Sequence, residues 1–302
     1  MQSQWARDAV AHVDPRCAGE PLARHHRITF NFHPDRGFGG VEILEAMLAD
    51  GEYRSQFVTG TSNGGLTAHI GGDRWRWEQS LFGGAYDEAP AGERPKYGAL
   101  NHRYRTLGGA PRFGSAHLRL KEHMLDRATF CFPDSALSPA RFATARRFGL
   151  WDAVTHHEES MQTGDNNQEV LYDPLDGYVE AQVHGRVLLD QDVEALVLDP
   201  CFRATPVERR AQALGLPIEW HEGQVLHTDV LQHQIDYRGG EPVRIGLQIA
   251  ERDLIDARII GDAVSTGRFE VQPMKQLWHL TAQWGSPAGS ADQIRRRVGD
   301  VW

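Results

Sequence analysis

The sequence predicts an α+β fold: a curved mixed β core with peripheral helices and a helical appendage towards the C-terminal end. Two kinds of segment predict it, namely short runs of alternating or β-branched residues bounded by turn residues, and stretches whose apolar residues recur at helical spacing. Composition agrees, because 40% hydrophobic and 24% charged residues over 302 positions are the proportions of an ordered globular chain. Five strands of one β core are expected at 27-32, 115-120, 128-132, 178-184 and 193-198.

Residues 1-24 read as a lead-in, a short helix followed by a Pro/Gly-containing link. In RITFNFHPD, Ile28, Phe30 and Phe32 alternate with polar neighbours and the pattern stops at Pro34, as for a half-buried strand entering a loop. In VEILEAMLADG, Ile43, Leu44, Met47 and Leu48 fall at helical spacing and Gly51 supplies the stop. The tract from Tyr53 to Asp87 is crowded with glycine and small hydroxyl residues, which predicts turns and a site wall. SAHLRL and RATFCF are expected to be strands joined across KEHMLD, and PARFATARRFGLWDAVTHHEE a helix. GYVEAQVHG and VEALVLDP form a second predicted strand pair, with WHEGQVL as an edge strand. In VQPMKQLWHLTAQWG, Met274, Leu277, Trp278 and Thr281 share a helical face that Gly285 ends. The expected organisation is a lead-in over 1-24, an α+β domain over 25-245 and a helical subdomain over 246-302.

Three cysteines, Cys17, Cys131 and Cys201, are odd in number and widely spaced, which suggests neither a disulfide framework nor a zinc knuckle and fits a reducing compartment. The first residues lack a signal-peptide apolar core, and no window approaches eighteen apolar residues, so a cytoplasmic protein without a membrane span is expected. A formal charge of -9 argues against a wide nucleic-acid-binding face, though a local basic groove stays open; small molecules or proteins are the expected partners.

The fifteen histidines show no helical metal-ligand spacing; His156, His157, Glu158 and Glu159 come nearest, but adjacent helical residues point apart. No metal ligand is assigned. There is no Gly-x-Ser-x-Gly elbow, and Cys131 sits in an apolar strand where a thiol is inert. Gly-Thr-Ser-Asn-Gly-Gly at 60-65 lacks a P-loop lysine and the strand-then-helix context of a dinucleotide fingerprint. Glu180 draws attention because strand alternation places it with Gln182 and His184 on one face. That strip is a wet sheet face if it meets solvent and a catalytic strip if it meets a cleft.

The segments RITFNFHPDR, YRSQFVTGTSNGG, ERPKYGALN, PRFGSAHLRL, RATFCFPDS and YVEAQVHG together resemble an uncharacterised bacterial family, a domain of unknown function, across residues 25-245. A more distant similarity is to the ADP-ribosyltransferase superfamily. Arg27 and His33 bracket the first strand, Ile43 to Gly51 supply a short helix, Thr61-Ser62 or Tyr97-Gly98 supply a middle element, and Glu180 stands on the later strand. That resemblance implies an ADP-ribosyltransferase-like fold and an NAD-dependent transferase passing ADP-ribose to an unknown protein or small-molecule acceptor. It implies that Glu180 stabilises an oxocarbenium-like state, Arg27 grips the pyrophosphate, and Thr61 and Ser62 beside Gly60 hold ribose or orient the glutamate. Tyr97 would stack on nicotinamide, His33 would contact the adenosine ribose, and Gln182 would position the substrate. Tyr178 occupies the position two before Glu180 where arginine-modifying members carry Glu or Gln, so no acceptor is implied. Two other classes remain open: a catalytically inactive interaction domain and a metal-dependent hydrolase.

Overall fold

The computed structural model describes residues 3-38, 40-60, 67-137, 139, 141-163 and 174-289. Eight strands form one mixed sheet: β1 (Ile28–Phe32), β2 (Lys96–Leu100), β3 (Ala116–Leu120), β4 (Ala128–Cys131), β5 (Phe142–Thr144), β6 (Val179–Val183), β7 (Val193–Leu198) and β8 (Ile218–Trp220). Their order is β8-β7-β3-β1-β2-β6-β4-β5. β2 runs antiparallel to β1 and β6, β4 antiparallel to β6 and β5, and β8 parallel to β7. All five expected strands lie in this sheet, and the chain is a mixed α+β protein. No helix among the described residues is long and apolar enough to cross a membrane.

The main helices are α1 (Gln4–Val13), α2 (Ile43–Asp50), α3 (Asp73–Phe82), α4 (Trp151–Thr163), α5 (Pro206–Ala213), α6 (Ile235–Arg238), α7 (Gly240–Ile249), α8 (Ala257–Ser265) and α9 (Val271–Trp284). The chain divides into two compact units. The first comprises residues 1-30, 46-110 and 118-195, the second residues 31-45, 111-117 and 196-302.

In the first unit α1 starts where Ser3 Oγ accepts from the Ala6 amide at 3.3 Å. Its Ala6, Ala9 and Val13 fall on one side at helical spacing and are buried. Ala9 and Val13 join Leu81, Phe82 and Tyr86 in a core cluster with Trp5, Trp77 and Phe142 packed around it. Each fully buried large apolar side chain of this kind contributes about 1.5–3 kcal/mol. Gly98 on β2 lets Phe30 lie over the strand, since a Cβ there would sit 2.3 Å from the Phe30 ring and 2.6 Å from the Thr29 carbonyl oxygen.

Four expectations need correction. GYVEAQVHG and VEALVLDP are not a strand pair, because β6 and β7 stand four places apart in the sheet. The helix predicted over PARFATARRFGLWDAVTHHEE begins only at Trp151, and Phe142–Thr144 is instead the strand β5. Phe142–Thr144 pairs antiparallel with β4, and just before α4 the chain passes close to Ala18 and Gly19, where a Cβ on Gly149 would lie 2.7 Å from the Ala18 carbonyl oxygen. The glycine-rich tract is not all turns either, because it contains α3. Within WHEGQVL the chain forms the end of β8 at Trp220 and, separately, Leu226–His227, which pairs with Leu254–Ile255.

In the second unit α9 buries Met274, Leu277, Trp278 and Thr281, the face expected from the sequence. The Trp278 indole nitrogen donates to the Pro111 carbonyl at 2.8 Å. α7 and α8 pack against α9.

Candidate functional site

The register of β6 decides which side chains share a face, because residues directly opposite in antiparallel strands point the same way. Tyr97 and Thr129 lie opposite Gln182, while Ala99 and Cys131 lie opposite Glu180. Glu180, Gln182, Tyr97, Thr129 and Cys131 therefore line one face of the first unit's sheet. That face is neither wet nor open at Glu180, which is 5% exposed, and Gln182 and His184 are fully buried.

The buried groups are joined in a directed chain of hydrogen bonds. Burial, Arg127 and Lys96 hold the His184 imidazole down at about 3, so it is neutral with one donor and one acceptor nitrogen. The Thr129 hydroxyl donates to Gln182 Oε1 at 2.8 Å, and so accepts from His184 Nε2 at 3.0 Å. That leaves His184 Nδ1 to accept from the Tyr86 hydroxyl at 2.7 Å. Gln182 then donates through Nε2 to Glu180 Oε1 at 2.9 Å. On the other side Arg74 donates to Ser135 Oγ at 2.8 Å, and Ser135 donates to Glu180 Oε2 through its hydroxyl at 2.9 Å and its amide at 3.2 Å. Every one of these bonds runs towards the Glu180 carboxylate.

Arg74, itself 3% exposed, lies with its guanidinium 3.8 Å from the centre of the half-buried Tyr97 ring. Burial works against its charge, but Tyr97, Glu180 and Glu78 hold its pKa above the ordinary value. The Tyr97 hydroxyl donates to Glu78 Oε1 at 2.6 Å, and Arg94 pairs with Glu78 Oε2 at 2.7 Å. Burial pushes Glu78 up to about 7 against the pull of Tyr97, Arg94 and Arg74. Burial likewise raises Glu180, with Asp134 adding to it and Arg74, Gln182 and Ser135 opposing. Cys131, buried beside Glu180, is raised well above the thiol range and is held as a thiol. Chemically, the arrangement is a buried carboxyl group ringed by fixed donors in a low-dielectric setting, where such donors act strongly on charge.

Of the residues singled out in the sequence, the structure brings together Glu180, Gln182 and Tyr97. Arg27 is not among them. It directly precedes β1, two places from β6, and its guanidinium pairs at 2.7 Å with Glu194 on β7, farther from β6 still. Arg74 is the guanidinium beside Glu180 instead. Gly60 is exposed and caps the short helix Gln56–Thr59 at φ 66°, while Thr61 and Ser62 lie outside the described residues. His33 belongs to the second unit, where its ring meets Trp278 edge-on at 5.1 Å. Among the described residues no three His, Cys, Asp or Glu side chains gather as a metal-ligand group.

Arg74, Glu78, Ser135 and Thr129 were not anticipated. For α3 a signal exists: Arg74, Glu78, Leu81 and Phe82 recur at i, i+4, i+7 and i+8 between glycine pairs at 71-72 and 83-84. Ser135 and Thr129 give no comparable signal, since only the fold brings them in: strand pairing sets Thr129 opposite Gln182, and a one-turn helix after β4 carries Ser135 to Glu180.

Among curated proteins, the chain is 28% identical over 187 residues to the Gene 2 protein of Mycobacterium phage L5, a match covering 57% of this chain and 67% of that protein. A family profile described as "Protein of unknown function (DUF3626)" matches residues 27-155 and 149-284, spanning both units and the whole of the buried face around Glu180. The chain belongs to that family.

Proposed function

We propose that the chain is an ADP-ribosyltransferase-like enzyme that takes NAD as donor and uses Glu180 to stabilise the positive charge that develops on the ribose. The observation that carries this reading is the orientation of the donors. Tyr86, His184, Thr129 and Gln182 on one side, and Arg74 and Ser135 on the other, all direct hydrogen-bond donation into one carboxylate. A protonated Glu180 would waste one of those donors, so the network favours the anion.

In the proposed reaction the C–N bond between ribose and nicotinamide breaks and nicotinamide leaves with the bonding pair. The oxocarbenium-like centre left behind is stabilised by the Glu180 carboxylate until an acceptor nucleophile bonds to the anomeric carbon and loses its proton. Gln182 directly, and Arg74 through Ser135, hold the carboxylate in place. The acceptor, protein or small molecule, is undefined.

The test is nicotinamide release from NAD, with binding followed by calorimetry. Glu180→Gln keeps the shape but removes the charge, so NAD binding should persist while cleavage falls by a factor of about 100 to 1,000. Equal cleavage by wild type and Glu180→Gln would overturn the role given to Glu180. One observation favours a second class, the catalytically inactive interaction domain: Glu180 is 5% exposed with both oxygens already occupied. A wild type that neither binds nor cleaves NAD, with or without candidate acceptors, would select that alternative.

A further inference from the structure

The second unit holds a group of basic side chains that plays no part in the reading above. Lys275 and His279 stand one turn apart on α9, on the same side of the helix. Arg112 belongs to the one-turn helix Pro111–Phe113, which is tied to α9 by the bond from the Trp278 indole to the Pro111 carbonyl at 2.8 Å. Arg238 ends α6, which packs against α9; Tyr237 meets Trp284 edge-on at 6.1 Å, and the Arg238 guanidinium lies 4.6 Å from the Tyr237 ring centre. Three half-buried cations are thus set around His279 by three separate elements.

His279 is the second, independent sign. It is 3% exposed, and neither ring nitrogen has a hydrogen-bond partner. Buried imidazoles ordinarily satisfy at least one nitrogen, because an unfilled donor or acceptor away from water is costly. Burial, with Arg112, Arg238 and Lys275 adding to it, holds His279 at about 3, so its ring is neutral and retains one N–H to donate. His33, edge-on to the neighbouring Trp278 at 5.1 Å, is itself held well below the ordinary histidine value by burial, Arg36 and His279. Two guanidiniums, an ammonium and an N–H donor suit a tetrahedral dianion better than a carboxylate, which carries half the charge and fewer acceptor oxygens.

We propose that Arg112, Arg238, Lys275 and His279 form a binding site for a phosphate group, as carried by a phosphomonoester or by free phosphate. The site belongs to the second unit and Glu180 to the first, and it does not depend on NAD chemistry. Calorimetric titration of the full chain with inorganic phosphate, and separately with AMP, at low ionic strength is expected to show saturable binding. Lys275→Gln and Arg238→Gln should each weaken it by about tenfold or more, and acetate should not compete. Tighter binding of AMP than of phosphate assigns a phosphomonoester; equal binding assigns the free ion. In the wild-type protein the His279 ring resonance should move on addition of phosphate and titrate at higher pH, because an anion offsets the cations that hold its proton off. No saturation by either probe up to about 10 mM overturns the proposal. So does binding that both substitutions leave unchanged, or that leaves the His279 resonance still.

Discussion

Removing the guanidinium that stands beside Glu180 is the sharpest perturbation of the first unit. Arg74→Met keeps most of the stem volume but deletes the charge, the bond to Ser135 and the stacking on Tyr97. Arg74 and Glu180 are 3% and 5% exposed, so the variant leaves a buried carboxylate without its nearest cation, a change that costs about 3–5 kcal/mol. For a unit of this size each kcal/mol lowers Tm by about 2–4 °C, giving a loss near ~10 °C or more. The loss should depend on pH. A carboxyl group whose folded pKa lies above its unfolded value gives stability that is fully present below the unfolded pKa, near 4.3, and is lost as pH rises through the folded pKa. Glu180 is already raised, and Glu78, at about 7, responds to Arg74 in the same direction. Arg74→Met should raise both further, so its penalty is greatest at neutral pH and shrinks as pH falls towards 5. Thermal unfolding of wild type, Arg74→Met, Glu180→Gln and the double variant across that range tests this. The double variant should be more stable than the two single losses predict, with a coupling of about 1–3 kcal/mol. A penalty independent of pH, together with strictly additive single losses, would refute the electrostatic account.

Three further outcomes follow from the geometry. Thr129→Val is nearly isosteric but leaves His184 Nε2 and Gln182 Oε1 without their shared partner, so denaturant unfolding should show a loss of about 2 kcal/mol that Thr129→Ser restores; a loss under about 0.5 kcal/mol would contradict the assigned bond directions. Gly98→Ala drives a Cβ to 2.6 Å from the Thr29 carbonyl oxygen and 2.3 Å from the Phe30 ring, and should lower stability by about 1–3 kcal/mol, whereas an unchanged Tm would mean that Phe30 does not cover this strand as described. If NAD is cleaved with Glu180 ionised, nicotinamide release should fall as pH drops, with a midpoint above the ordinary carboxylate value of 4.5 because burial raises that group; a midpoint at or below 4.5 would separate the activity from Glu180.

The main strands were legible because their signal is local: alternation and β-branching in Ile28–Phe32, Ala128–Cys131 and Val193–Leu198 survive into the sheet unchanged. The strip of Glu180, Gln182 and His184 was legible for the same reason. What covers that strip was not, because α3 sits between glycine pairs that read as turns, and its apolar face is interrupted by the polar side chains of Arg74 and Glu78, both buried. Arg27 pairs with Glu194 and is not among the groups around Glu180. Proximity along a sequence to a strand end says nothing about which neighbour an arginine meets, and Glu194 lies 167 residues away in the chain. The division of α4 from β5 follows from the pairing of Phe142–Thr144 with β4, a long-range contact that no window on the sequence reveals.

The strand Val179–Val183 is hydrogen-bonded along both edges and buried at all five positions. Its amides can therefore exchange with solvent only when the surrounding sheet opens, which places them with the slowest class of the first unit. Glu180 is carried on the part of the molecule that yields last, while Arg74 and Ser135 reach it from a helix and a one-turn helix outside the sheet. Motion at the carboxylate is therefore expected first from those two, with the strand acting as the fixed reference against which they move.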